Sequence, residues 1–161
     1  MSTVKLFLSG ENIKEPRIIE VEEGTSIGEI VIKEFGASGA ATEEIIVLLE
    51  NDDRPREHTH HAKDHFRHHD HIHCHRCRDI ELTFSYNNQV ESIRVPPSRT
   101  GGELVRAIPD LFKITLRDAE GLKMEISEDV HVAINDHIGR FVSYPECKLQ
   151  ITLTSKHKVQ G

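Results

Sequence analysis

With 161 residues, 37% of them hydrophobic, and a formal net charge of −7, the chain has the composition of folded cores rather than of disorder, in one domain or two small ones. The negative charge argues against nucleic acid or an anionic membrane as partner, since both need a positive field, and no apolar run approaches the roughly 20 residues that span a bilayer. Met1 to Leu6 enters a strand pattern at once without a signal peptide's apolar stretch, and an odd count of 3 cysteines suggests no disulfide framework; the expected compartment is a reducing cytoplasm.

Val4, Leu6 and Leu8 alternate with Lys5, Phe7 and Ser9, the pattern of a half-buried strand. Ser9 to Asn12 supplies turn residues, and Arg17 to Glu22 completes a hairpin. Thr25 is the expected N-cap of a helix carrying Ile27, Ile30, Val31, Glu34 and Phe35 at helical spacing, with Gly36 as its stop. Ile45 to Leu49 is an apolar run of strand length. The order then repeats. Ile80, Leu82, Phe84 and Tyr86 alternate with polar neighbours, Asn87-Asn88 is a tight-turn pair, and Val90, Ile93 and Val95 mark the return strand. Ser98 or Thr100 caps a helix with Leu104, Val105, Ile108, Leu111 and Phe112, bent or ended near Pro109. Leu122, Met124 and Ile126 form a third strand, Asp136 to Val142 a brief helical turn, and Leu149, Ile151 and Leu153 the last strand. Ser155 to Gly161 lacks periodicity and reads as a mobile tail.

Periodicity alone predicts an α+β roll in which strands outnumber helices. Both halves, however, resemble ubiquitin-like domains, and the stretch from His71 to Asn88 (His-Ile-His-Cys-His-Arg-Cys-Arg-Asp-Ile-Glu-Leu-Thr-Phe-Ser-Tyr-Asn-Asn) resembles the domain junction of bacterial multi-ubiquitin proteins. The likeness continues through the second helix to Val159-Gln160-Gly161, and the tandem arrangement is similar to the animal interferon-induced modifier with two ubiquitin-like domains. The resemblance implies two tandem β-grasp domains, 1–78 with a His-rich loop and 79–154, followed by the tail 155–161. It also implies a non-enzymatic modifier that works in bacterial anti-phage defence. Its partners would be a ubiquitin-activating-like enzyme, a conjugating-like enzyme, a JAB-type peptidase and a target such as a phage structural protein. Two features depart from the family: there is no Gly-Gly terminus, and the loop is richer in histidine than the likeness requires.

On that resemblance the chemistry is that of the Gly161 carboxylate. The activating enzyme adenylates it with ATP, a cysteine thiolate captures it as a thioester, and a nucleophile on the target takes the acyl group. Glycine suits the role because, without a Cβ, it threads a narrow channel and exposes its carbonyl. Lys158, Val159 and Gln160 are the expected recognition residues of the tail.

Two readings compete with the modifier. Nine of the 12 histidines lie between His58 and His75, beside Cys74 and Cys77, and imidazole and thiolate ligate Zn²⁺, Ni²⁺ or Cu. That pattern fits a metal-binding or metal-delivery protein, with His58, His60, His61, His65, His68 and His69 as the candidate ligands and adventitious Zn or Ni as the milder form. Alternation along a strand from His71 argues against a closed Cys₂ site, because it puts His71, His73, His75 and Cys77 on one face and Ile72 and Cys74 on the other. The bland alternative is a polar loop and strand face, with Ile72 and Cys74 in the core and Cys147 isolated. The same strand is expected to run on into Ile80 as a stiff junction. A third class is a sulfur carrier or rigid adaptor that is never conjugated. Finally, Phe7, Ile46 and Leu48 sit opposite the core-facing positions of their strands. They form a partly apolar outer face that would take a partner or the second half of the chain.

Overall fold

The computed structural model describes residues 2–38 and 41–156. Its architecture is α+β, two mixed sheets with few helices. The first half comprises β1 (Thr3–Gly10), β2 (Arg17–Glu22), α1 (Ile27–Phe35), β3 (Ile46–Leu49) and β4 (His71–His75). The second comprises β5 (Ile80–Tyr86), β6 (Gln89–Val95), α2 (Gly101–Phe112), α3 (Leu116–Glu120), β7 (Leu122–Ser127), β8 (Val130–His131) and β9 (Lys148–Ser155).

The first sheet has the order β2-β1-β4-β3, with β4 parallel to β1 and the other pairs antiparallel. The second has the order β6-β5-β9-β7-β8, with β9 parallel to β5. Apart from β8, the two sheets share one winding order: a hairpin, a helix, an edge-side strand, and a last strand inserted beside the first.

Each sheet buries its own core. Leu6, Leu8, Ile72 and Cys74 meet Ile27, Ile30, Val31 and Phe35 of α1 in the first. In the second, Ile80, Leu82, Phe84, Ile151 and Leu153 meet Leu104, Ile108 and Phe112 of α2. The apolar spacing read from the sequence is thus the packing itself, and each fully buried Leu, Ile or Phe contributes roughly 1.5–3 kcal/mol of transfer free energy. Asn87 and Asn88 take φ of 47° and 66°, the left-handed pair that joins two twisted strands in a two-residue loop.

Several local expectations are corrected. Ser26, not Thr25, caps α1, its Oγ accepting from the Glu29 N–H at 3.2 Å; the Thr25 carbonyl instead receives the Ala62 N–H. Between Ser98 and Thr100, the cap of α2 is Thr100. Pro109 lies inside α2, which runs on to Phe112 before Lys113 closes it in the left-handed conformation. The strand from His71 stops at His75, and residues 76–79 turn the chain before β5 begins. Helix α3 and strand β8 have no counterpart in the sequence reading. Among the described residues no helix is long and apolar enough to cross a membrane.

Candidate functional site

The last strand positions the chain's C-terminal segment. β9 lies between β5 and β7, paired Glu125↔Thr152 through Leu122↔Ser155 on the β7 side. The Lys156 N–H then donates to the Gly121 carbonyl at 2.9 Å, so the backbone is held up to that residue. Beside Lys156, Val105, Arg106, Leu116, Glu120 and Ile134 line a concave surface. Gly161, the expected conjugation terminus, and Lys158, Val159 and Gln160, expected from the sequence to be recognised, lie outside the described residues.

The histidine loop separates most of the six candidate ligands. His58 spends its Nε2 on the Ile45 carbonyl at 2.7 Å, while its own carbonyl takes the Gly28 N–H. The His68 Nδ1 accepts from the Lys5 N–H at 3.0 Å, and His69, at φ 72°, donates its backbone N–H to the Lys5 carbonyl. His61 is exposed and bridges Ser26 through its backbone. Only His60 and His65 share a nitrogen contact, Nδ1 to Nε2 at 2.8 Å with their rings stacked, and Glu57 faces the other nitrogen of His60 at 3.3 Å. Among the described residues no group of three or more His, Cys, Asp and Glu side chains is arranged to hold a metal ion.

The outer face of the first sheet is where the two halves meet. Register puts Phe7 beside His71, Leu48 beside His73 and Ile46 beside His75. Phe7 stacks on the His71 ring at 4.5 Å and stays half-exposed, whereas Leu48 is only 1% exposed. The three residues therefore do not form one open surface.

His73 and His75 point into a joint made with the turn at Ile138–Phe141 and the segment before α2. Gly139 makes the approach feasible: a Cβ there would collide with His73, Pro97 and His75. Flanking bonds complete the joint. Asn51 Oδ1 accepts from the Thr100 N–H at 2.9 Å, and Ser98 Oγ donates to the Asp52 carbonyl at 2.7 Å. Glu11 accepts from Arg76 Nε and Nη2 at 2.9 and 2.7 Å and from the Tyr144 N–H at 2.8 Å.

The titratable groups here are displaced from their ordinary values. Burial, then His137 and His75 nearby, holds His73 well below 6.5. Burial likewise depresses His75, against the opposing pull of the Val142 and Gly139 carbonyls and Glu11, and depresses His137 against Glu50. Burial would raise Glu11, but hydrogen bonds from Arg76 and the Tyr144 N–H outweigh it and lower its value. Asp52 is held at about 2, because hydrogen bonds from Arg54 and Arg56 overcome its partial burial.

Sequence reading placed His73 and His75 on one strand face but missed their burial, and nothing in the local pattern marked Glu11, Glu50 or His137 as their partners. It also missed a bond: Cys77 is joined to Cys147 in a disulfide, 70 residues apart in sequence. The parallel pairing of β5 with β9 brings them together, with the Glu81 N–H on the Cys147 carbonyl. Cys74, the remaining cysteine, is buried in the first core, and its burial pushes the thiol far above its ordinary value.

No family model matches the sequence, and no curated protein does. Among solved structures, the chain is similar to the ubiquitin of Caldiarchaeum subterraneum, at 12% identity and a TM-score of 0.40, with 46% of this chain and 92% of that one covered.

Proposed function

We propose that this chain is a tandem ubiquitin-like protein modifier of the bacterial multi-ubiquitin type, in which each sheet with its helix is one β-grasp domain. The observation that carries the reading is the winding order, hairpin, helix, strand and inserted parallel strand, occurring once in each half. In the second half that order ends on β9, whose following residue, Lys156, is still tied to Gly121. The modifier supplies an acyl group and no catalytic side chain. Its Gly161 carboxylate is adenylated, passed to a thiolate as a thioester, and transferred to a nucleophile on the target in anti-phage defence in the cytoplasm. A conjugating enzyme and a JAB-type peptidase are the remaining partners.

The test is incubation with the cognate activating enzyme and ATP without reductant. The full chain should form a thioester that deletion of Gly161 abolishes. An undiminished thioester in the deletion variant would overturn the proposal.

A further inference from the structure

Three histidines, His73, His75 and His137, meet at the joint between the two sheets and are hydrogen-bonded there. His137 Nε2 lies 2.7 Å from Glu50 Oε1, and a carboxylate only accepts, so Nε2 carries the proton. With His137 neutral, its Nδ1 is bare and takes the proton of His73 Nδ1, 3.1 Å away. That leaves His73 Nε2 without a proton, and it is buried with no hydrogen-bond partner. His75 is fixed independently. Its Nδ1 accepts the Cys77 N–H at 2.9 Å, so Nε2–H donates to the carbonyls of Gly139 and Val142 at 3.0 and 2.9 Å.

His75 is therefore neutral in the closed joint, and burial favours the neutral form of His73 and His137 as well. A further proton on His73 would place an N–H donor at Nε2 with nothing to accept it. A further proton on His75 would set an N–H against the Cys77 N–H, and one on His137 would set an N–H against that of His73. A buried donor without an acceptor is destabilising, whereas the same imidazolium in water is fully solvated.

We propose that this joint is an acid-operated latch: protonation of His73, His75 and His137 releases the second sheet from the first while both sheets stay folded. The charged groups facing the three rings do not remove the effect. Glu50 and Asp136 lie near His137 and favour its cation, whereas His71 opposes it. Glu11 and Arg76 act on His75 with opposite signs, and Glu11 is already engaged by Arg76. The charges acting on His73 come from the other two histidines, and both oppose its cation. Glu50 is thus the main counterweight; of the three rings it touches His137, and it also lies 3.8 Å from His71. Arg140, across the turn, is paired with Asp136 at 2.8 Å.

The sign follows from linkage. Each ring binds its proton less readily when closed than when open, so closure is fully favoured above the ordinary value of 6.5 and is lost as pH falls below it. Each such ring shifts the balance toward opening by up to about tenfold per pH unit, so three acting together give up to about a thousandfold. The bond between Cys77 and Cys147 anchors Cys77 to the second core, so Arg76, between His75 and Cys77, is the hinge about which the joint opens.

The experiment is small-angle X-ray scattering of the full chain from pH 8 to pH 5, with far-UV circular dichroism on the same samples. Staying above pH 5 keeps the carboxylates from confusing the reading. The radius of gyration should be constant down to about 6.5 and rise below it, more steeply than a single proton allows, with unchanged dichroism. The triple variant His73→Gln, His75→Gln, His137→Gln should stay at the wild-type high-pH dimensions to lower pH. Should that variant not close at pH 8, imidazole ¹⁵N shifts of the wild type decide: the three rings must become cationic over the interval in which scattering changes. Unchanged scattering down to pH 5, loss of dichroism in the same interval, variant opening at the wild-type pH, or ring protonation without expansion would each overturn the proposal.

Discussion

Breaking the Cys77–Cys147 bond should destabilise the second half selectively. The bond closes a loop of 70 residues that holds nearly all of that half, from the turn before β5 to the start of β9. Loop-closure entropy for such a length gives about 4 kcal/mol of stabilisation through the unfolded chain. A half of about 80 residues has about 4–12 kcal/mol in total, so the bond decides whether it is robust or marginal. The protein offers a convenient probe, because it has 2 tyrosines and no tryptophan. Tyr86 packs edge-on against Phe112 in the second core at 5.5 Å, and Tyr144 lies under the Arg76 guanidinium at the joint. Tyrosine fluorescence therefore follows the second half, while far-UV circular dichroism follows both. In urea, reduction should move the tyrosine midpoint to lower concentration, and part of the dichroism should lag behind it. A tyrosine midpoint unmoved after thiol titration has confirmed three free thiols would refute the reasoning. The result also bears on location, since a reducing cytoplasm disfavours such a bond.

Gly139→Ala should cost about 1–3 kcal/mol by overpacking the joint against His73 and Pro97, seen as a lower urea midpoint with expansion by scattering at neutral pH. Glu11→Gln should lose about 2 kcal/mol at pH 7, because it weakens charge-assisted bonds to Arg76 and the bond to the Tyr144 N–H. The native Glu11 value is lowered, so its contribution is present above 4.5 and lost on acidification below it; urea midpoints of variant and wild type should draw together as pH falls below 4.5. The Cys74 thiol, buried and strongly disfavoured as thiolate, should resist iodoacetamide in the native oxidised protein and react as one thiol per chain after denaturation; rapid native alkylation would contradict its placement.

How far the sequence carried can be argued element by element. The strands at Val4–Leu8 and Ile80–Tyr86 and the helices around Ile27–Phe35 and Leu104–Phe112 were legible because one face of each is apolar at its own period. Helix α3 was not, since its five residues complete little more than one turn and announce themselves only by Thr115, whose hydroxyl accepts the Asp118 N–H. His73 and His75 were assigned the right face, but alternation does not say what covers a face. Leu48 shows the same limit, being read as outward and found buried at the joint. The Cys77–Cys147 bond depends on β9 lying parallel to β5, a contact that no local spacing encodes. The histidine loop looked like a ligand set because composition counts imidazoles without regard to direction. In the fold, those of His58 and His68 are bonded to backbone groups of the first half.

The central claim, conjugation through Gly161, is tested most directly by the linkage itself. After reaction with the activating and conjugating enzymes and ATP, the modified target is digested with trypsin, which cuts after Lys158. Peptide mass spectrometry should then find an acceptor side chain bearing a Val159-Gln160-Gly161 remnant. Conjugates lacking that remnant, or no conjugate despite a competent enzyme set, would contradict the account.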